Sequence, residues 1–151
     1  MKRREVLLVG TAAAVAQSLV STAGCKTKPG TTAAAAAAAT VGSAELASTL
    51  GPCIQAGETC MNHCLGLLAK GDASLGGCAK RVREMLAVCR TLETLVASES
   101  RHLQAAAALC ANVCDDCRAE CEKHAHHHEE CKACMEACVK VSAAANAVAQ
   151  G

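Results

Sequence analysis

Aromatic side chains are missing altogether: the sequence contains no Phe, Tyr or Trp. Without them there are no platforms on which bases could stack, which argues against a single-stranded nucleic acid as partner. The bulkiest core fillers are gone too, so any core must be built from Leu, Val, Ala, Met and Cys. An excess of either charge is also lacking, with 15 Lys and Arg against 14 Asp and Glu in 151 residues. Such a balance gives no electrostatic pull toward nucleic acid or an anionic surface. No segment alternates with period two, so no strand is expected. No CxxCH occurs, which leaves covalent haem unsupported. No phosphate-binding loop or separate nucleophile–base pair is visible, and no catalytic residue is expected.

What the chain has in quantity is cysteine, 13 in all. That density in a short chain points to a disulfide scaffold or a metal site. Disulfide scaffolds are rich in loops, whereas most of these cysteines lie in Ala-, Leu-, Glu- and Lys-rich segments of helical periodicity.

The first 25 residues read as an address. Arg3 and Arg4 precede Val6, Leu7 and Leu8, and an Ala-rich apolar stretch follows, as in a twin-arginine export signal. That stretch is too short and too rich in alanine for a good membrane span. Ala23-Gly24-Cys25 resembles the end of a lipoprotein cleavage site, with Thr22 where Leu is usual. Export to the periplasm is the expectation, and a lipid anchor on Cys25 the less favoured addition. Residues 26–43 are low in complexity and read as a linker, leaving a domain at 44–151.

Within that domain four apolar-periodic segments are predicted helical: about Cys53 to Ala69, with Pro52 near its first turn, then Ser74 to Ala97, Ser100 to His124, and His127 or His128 to Ala149. Ser98-Glu99-Ser100 is expected to turn the chain and cap the third. Short connections imply an all-α, antiparallel, up-down-up-down four-helix bundle. Stepping by fours and threes along each helix puts all twelve domain cysteines on the inward stripe: Cys53, Cys60, Cys64, Cys78, Cys89, Cys110, Cys114, Cys117, Cys121, Cys131, Cys134 and Cys138. Counting heights from the two connections that share one end gives rough layers. Cys78, Cys121 and Cys131 come first, then Cys64, Cys117 and Cys134, then Cys60, Cys114 and Cys138 with Met85 close by, then Cys53, Cys89 and Cys110. Beyond them the stripe turns aliphatic.

Cysteine can serve as a small core hydrophobe, but Ala or Val would fill twelve such positions without the risk of oxidation. Disulfides fit poorly, because Cβ atoms at i and i+4 on a helix lie about 5–6 Å apart where a disulfide wants about 3.8 Å. Soft metal fits better. Thiolate selects Cu(I), which accepts two or three sulfurs, and bridging sulfurs would let the tube hold multiple Cu(I) ions. Zinc prefers four tetrahedral ligands, usually from loops, so a metallothionein-like Zn or Cd buffer is the second reading. A thiol oxidoreductase using CDDC or CKAC is the third, and it needs an exposed thiol of low pKa. At the thiol-rich end His124 and His127 close the inward stripes, flanked by His126 and His128, with His63, Met61 and Met135 slightly off them. His63, Met85, His124 and His127 are the candidate auxiliary ligands.

With these motifs in place, CMNHCLGLLAKGDASLGGCAKRVREMLAVC followed by CANVCDDCRAECEKHAHHHEECKACMEAC resembles the bacterial copper storage proteins, a cysteine-rich four-helix-bundle family. The resemblance covers Cys53 to Cys138. It implies Cu(I) held along the core by the twelve cysteines, His63 as a ligand near the open end, a homo-oligomer of bundles, and copper donor or acceptor proteins as partners. Members with a twin-arginine signal are the exported kind. Two departures stand out: Leu67 and Leu75 occupy positions where exported relatives can carry Met, and Val141 and Ala145 follow where the cysteine series can continue.

Overall fold

The computed structural model describes residues 33–151, with side chains from residue 42 onward. Four helices make the fold: α1 (Ala33–Leu68), α2 (Gly76–Ala97), α3 (Leu103–Glu122) and α4 (Glu129–Gln150), with a 3-10 turn at Ala73–Leu75 before α2. Each helix packs on its neighbours in the chain, and α1 closes the ring on α4, while the diagonal pairs do not pack. The contacts run antiparallel. Cys78 meets Cys121 and Cys89 meets Cys110 between α2 and α3, while Cys60 meets Cys131 between α1 and α4. The expected antiparallel four-helix bundle is therefore the fold.

The predicted start of the first helix is corrected. It begins at Ala33, not near Cys53, so residues 33–43 of the stretch read as linker are helical and Pro52 lies inside α1. Proline there removes one helical hydrogen bond and costs about 3 kcal/mol. Upstream of it, Leu46 and Leu50 are fully buried. Burying two leucines is worth about 3–6 kcal/mol, enough to carry the helix through the proline. Alanine, the best helix former, extends it further back. Ser48 and Thr49 turn their hydroxyls onto the carbonyls of Glu45 and Leu46, at 2.7 and 2.8 Å, just before the break.

Two connections end in the same way. At Gly71, φ is +91°; Asp72 N–H reaches the Leu67 carbonyl at 3.1 Å and Gly71 N–H that of Leu68 at 3.0 Å. This is the Schellman closure that glycine favours. At the other end, Ser100 N–H bonds the Leu95 carbonyl at 3.0 Å and Glu99 N–H that of Val96 at 3.1 Å. There the left-handed position, φ +49°, is held by Glu99. Ser100 does not cap α3 as expected: α3 starts at Leu103 and Ser100 Oγ accepts from His102 N–H inside the turn, at 3.2 Å. Glu129 and Glu130 fill the first turn of α4, where the helix dipole favours negative charge. Among the described residues no helix is long and apolar enough to cross a membrane.

The core runs the length of the bundle in two chemical halves. All twelve described cysteines have zero exposure. Past them Leu46, Leu50, Leu92, Ala107, Val141 and Ala145 are equally buried and fill the other end with hydrocarbon. Apart from Ser142, the described polar residues stay outside the core, where pairs such as Arg81–Glu84 at 2.7 Å and Arg90–Glu58 lie on the surface.

Candidate metal centre

Helical periodicity brings the thiols inward, and the antiparallel packing stacks them. Five groups have their sulfurs mutually within 4.8 Å: Cys60, Cys64, Cys78 and Cys131; Cys60, Cys121 and Cys134; Cys117, Cys134 and Cys138; Cys53, Cys114 and Cys138; and Cys89, Cys110 and Cys114. Together they use every one of the twelve. Successive groups share a sulfur, so the groups form a column along the axis. Sulfur–sulfur hydrogen bonds run through it, from Cys78 to Cys121 at 3.6 Å, Cys60 to Cys131 at 3.7 Å and Cys89 to Cys110 at 3.7 Å. All twelve are free thiols.

The layering differs from the counted one in a single helix. Cys64 stands with Cys60, Cys78 and Cys131 and not with Cys117 and Cys134, while Cys53 stands with Cys114 and Cys138 and not with Cys89 and Cys110. The thiols of α1 are thus one step nearer the thiol-rich end than counted. The count set the ends of α1 and α2 at one level, whereas the chain leaves α1 at Leu68 and returns through the Schellman turn and the 3-10 turn before α2 starts at Gly76.

Ser142 is the only buried polar or charged residue among those described, so no buried cation balances a thiolate in the column. Burial then favours the neutral thiol. It pushes Cys64 up to about 12. Hydrogen bonding divides protons unevenly within the set: the bond with Cys110 is the main influence raising Cys89, while the bonds with Cys114 and then Cys89 draw Cys110 down. A metal ion entering the column must therefore displace protons.

Of the auxiliary candidates, Met85 is fully buried and its sulfur accepts from Cys53 at 3.7 Å. It reaches over Gly57, where a Cβ would stand 2.6 Å from the Met85 methyl. Glycine at that inward position is what lets the thioether cross. His63 is half-buried, with Nε2 2.9 Å from Nδ1 of His128 and Nδ1 3.4 Å from Glu130. His124 is half-buried, its Nε2 shielded from solvent without a hydrogen bond and 3.9 Å from Glu120. His127 is exposed, and the inward place assigned to it belongs to His128. The stripe was extended with helical spacing, yet residues 123–127 form turns and His128 is extended ahead of α4. Nor is the thiol-rich end an open mouth. Leu75, on the 3-10 turn that packs against α1 and α2, is fully buried there, and the outermost thiols have no exposure.

A column of overlapping thiol triads and one tetrad inside a helical bundle defines a binding protein for soft metal ions, with capacity for several at once. The copper storage protein family matches residues 39–150, and the chain belongs to that family. An uncharacterised cysteine-rich protein of Bacillus subtilis strain 168, YhjQ, is 34% identical over 90 residues, covering 56% of this chain and 82% of that one. Two solved structures are similar at 28% identity. The apo copper storage protein 3 of Bacillus subtilis superposes with a TM-score of 0.63 over 71% of this chain and 98% of its own. The Cu(I)-bound copper storage protein BsCsp3 gives 0.65 over 72% and 98%.

Proposed function

We infer that this chain takes up several Cu(I) ions through the thiolates of its core cysteines and holds them as a store. The observation that carries this reading is the column of shared sulfurs: four of its five groups offer three thiols, a number that suits Cu(I) and falls short of zinc's four. A monovalent ion bridged between thiolates also leaves little net charge in an apolar tube. A solved structure at 28% identity is a Cu(I)-bound relative, which supports the same cargo. The role is storage without catalysis, since a thiol oxidoreductase works through an accessible thiol and the twelve described here are buried.

The tetrad of Cys60, Cys64, Cys78 and Cys131 gives the zinc reading its one specific support, because it supplies four sulfurs at one place. We place the protein in the periplasm, on the strength of Arg3, Arg4 and the apolar stretch after them, which lie outside the described residues together with Cys25. A homo-oligomer is favoured by Leu65, Leu109 and Val139, each about half exposed on the outer surface. Copper donor and acceptor proteins complete the proposal.

An anaerobic Cu(I) titration of the reduced protein against a competing chelator, with Zn(II) in parallel, tests it. The expected result is uptake of many copper ions per chain with little change in helicity. Saturation at one or two ions, or preferential filling by zinc, would sink the storage reading.

A further inference from the structure

The column is not uniform along its length. Through its middle, α1 and α2 contribute no thiol: between Cys60 and Cys53 the inward residue is Gly57, and between Cys78 and Cys89 the buried residues are Val82, Met85 and Leu86. The Met85 thioether lies across Gly57 at this level. Sulfur–sulfur hydrogen bonds respect the division. One string joins Cys60, Cys78, Cys131, Cys121, Cys117 and Cys134 on the outer side. A separate one joins Cys89, Cys110 and Cys114 on the inner side. Cys138 lies between the two strings, within 4.8 Å of Cys117 and Cys134 on one side and of Cys53 and Cys114 on the other. No other residue belongs both to an outer and to an inner group.

We propose, resting on the storage reading above, that the tube is two copper stores in series and that Cys138 is the thiol through which ions pass between them. The outer store is formed by Cys60, Cys64, Cys78, Cys117, Cys121, Cys131 and Cys134, and the inner one by Cys53, Cys89, Cys110 and Cys114 beside Met85. Passage is ligand exchange at constant oxidation state. As Cys138 sulfur forms a bond to copper its thiol proton leaves, and the outer thiolate whose bond to copper breaks takes that proton up. The same exchange, from Cys138 to Cys114 or Cys53, then delivers the ion inward. Copper stays Cu(I) throughout, so neither oxidant nor reductant is consumed. Because an outgoing sulfur is replaced before it is lost, the ion is never left without thiolate in the apolar interior, where a bare cation is costly.

The decisive comparison is Cys138→Ala against Cys64→Ala, each lacking one thiol, loaded anaerobically with Cu(I) and then emptied by excess chelator. The wild-type chain should load and empty in two phases, outer then inner. Cys64→Ala removes a thiol of the outer store and should hold less copper in the outer phase, while its inner phase keeps the wild-type rate. Cys138→Ala should keep the outer phase and slow the inner one about tenfold or more, as expected for a lost transition-state contact. Cys138→Ser, of nearly the same size, repeats the test if the alanine variant loses helicity. An inner phase that runs at the wild-type rate in Cys138→Ala or Cys138→Ser overturns the bridge. A wild-type chain that binds only one or two copper ions overturns the store itself, and that outcome is read before any variant is compared.

Discussion

The two ends of this bundle bury the same inward positions with different chemistry. At one end the stripes carry thiols, and at the other they carry Leu46, Leu50, Leu92, Val141 and Ala145, all without exposure. Both halves are apolar enough to be core, since a neutral thiol packs as a small hydrophobe. They differ in what each gives up when changed. A leucine brings bulk that holds helices together. A cysteine brings less bulk but a sulfur that can exchange its proton for a metal ion. Stability is thus concentrated in the hydrocarbon end, and capacity in the other.

The comparison is most sharply drawn by Leu92→Ala against the double variant Cys114→Ala with Cys117→Ala. Leu92→Ala should destabilise the apo fold by about 2–5 kcal/mol, as truncations of fully buried leucines do, while the folded fraction keeps its copper capacity. The double cysteine variant should cost less stability, about 1 kcal/mol per site. It should also lose copper, because Cys114 and Cys117 together touch three of the five thiol groups. Denaturant unfolding of apo protein and a copper count on the same samples check both. If the cysteine pair proved the more destabilising, the division of labour between the halves would fail.

A smaller effect comes from alkaline titration of the thiol end. Burial holds Cys64 near 12, while an unfolded thiol titrates near 9. The folded chain therefore keeps a proton that the unfolded chain releases. The resulting stability is fully present below about pH 9 and is lost as pH rises toward 12. One such thiol predicts a loss of about 1.4 kcal/mol by pH 10. Melting under argon from pH 7 to pH 11 should show the decline, and Cys64→Ala should make it shallower.

The smallest effect contrasts the two matched turns. Gly71 holds the left-handed closure at the thiol end and Glu99 holds it at the hydrocarbon end. Replacing Glu99→Gly relieves a strained φ but loosens the unfolded chain, and the difference should leave about 0.5 kcal/mol of added stability. Gly71→Ala should move the other way. Equal and negligible effects would mean that neither closure is strained.

Much of this architecture was legible in the residues. The bundle and the inward placement of all twelve domain cysteines follow from spacing by threes and fours, a signal that survives wherever the backbone stays helical. Three features were not legible, each for a physical reason. The start of α1 was obscured by Pro52 and an alanine run, because local propensity gives no sign that Leu46 and Leu50 will find a core to enter. The axial offset of α1 depends on how far a helix runs beyond its neighbour before the turn, and no periodic pattern encodes that. His127 was placed inward and His128 taken only as a flanking residue, because helical spacing was carried into residues that turn. The contact between His63 and His128 joins side chains 65 positions apart, so only the packed bundle reveals it.

Closure of one end by hydrocarbon has a consequence in time. With hydrocarbon sealing that end, exchange is left to the turns that cover the other, and one column of sites filled from one end returns its contents in reverse order of arrival. Protein given one copper isotope first and a second isotope later should therefore surrender the second before the first. The chain would carry a record of its recent exposure, written in depth, and two molecules of equal load would differ in what they release next.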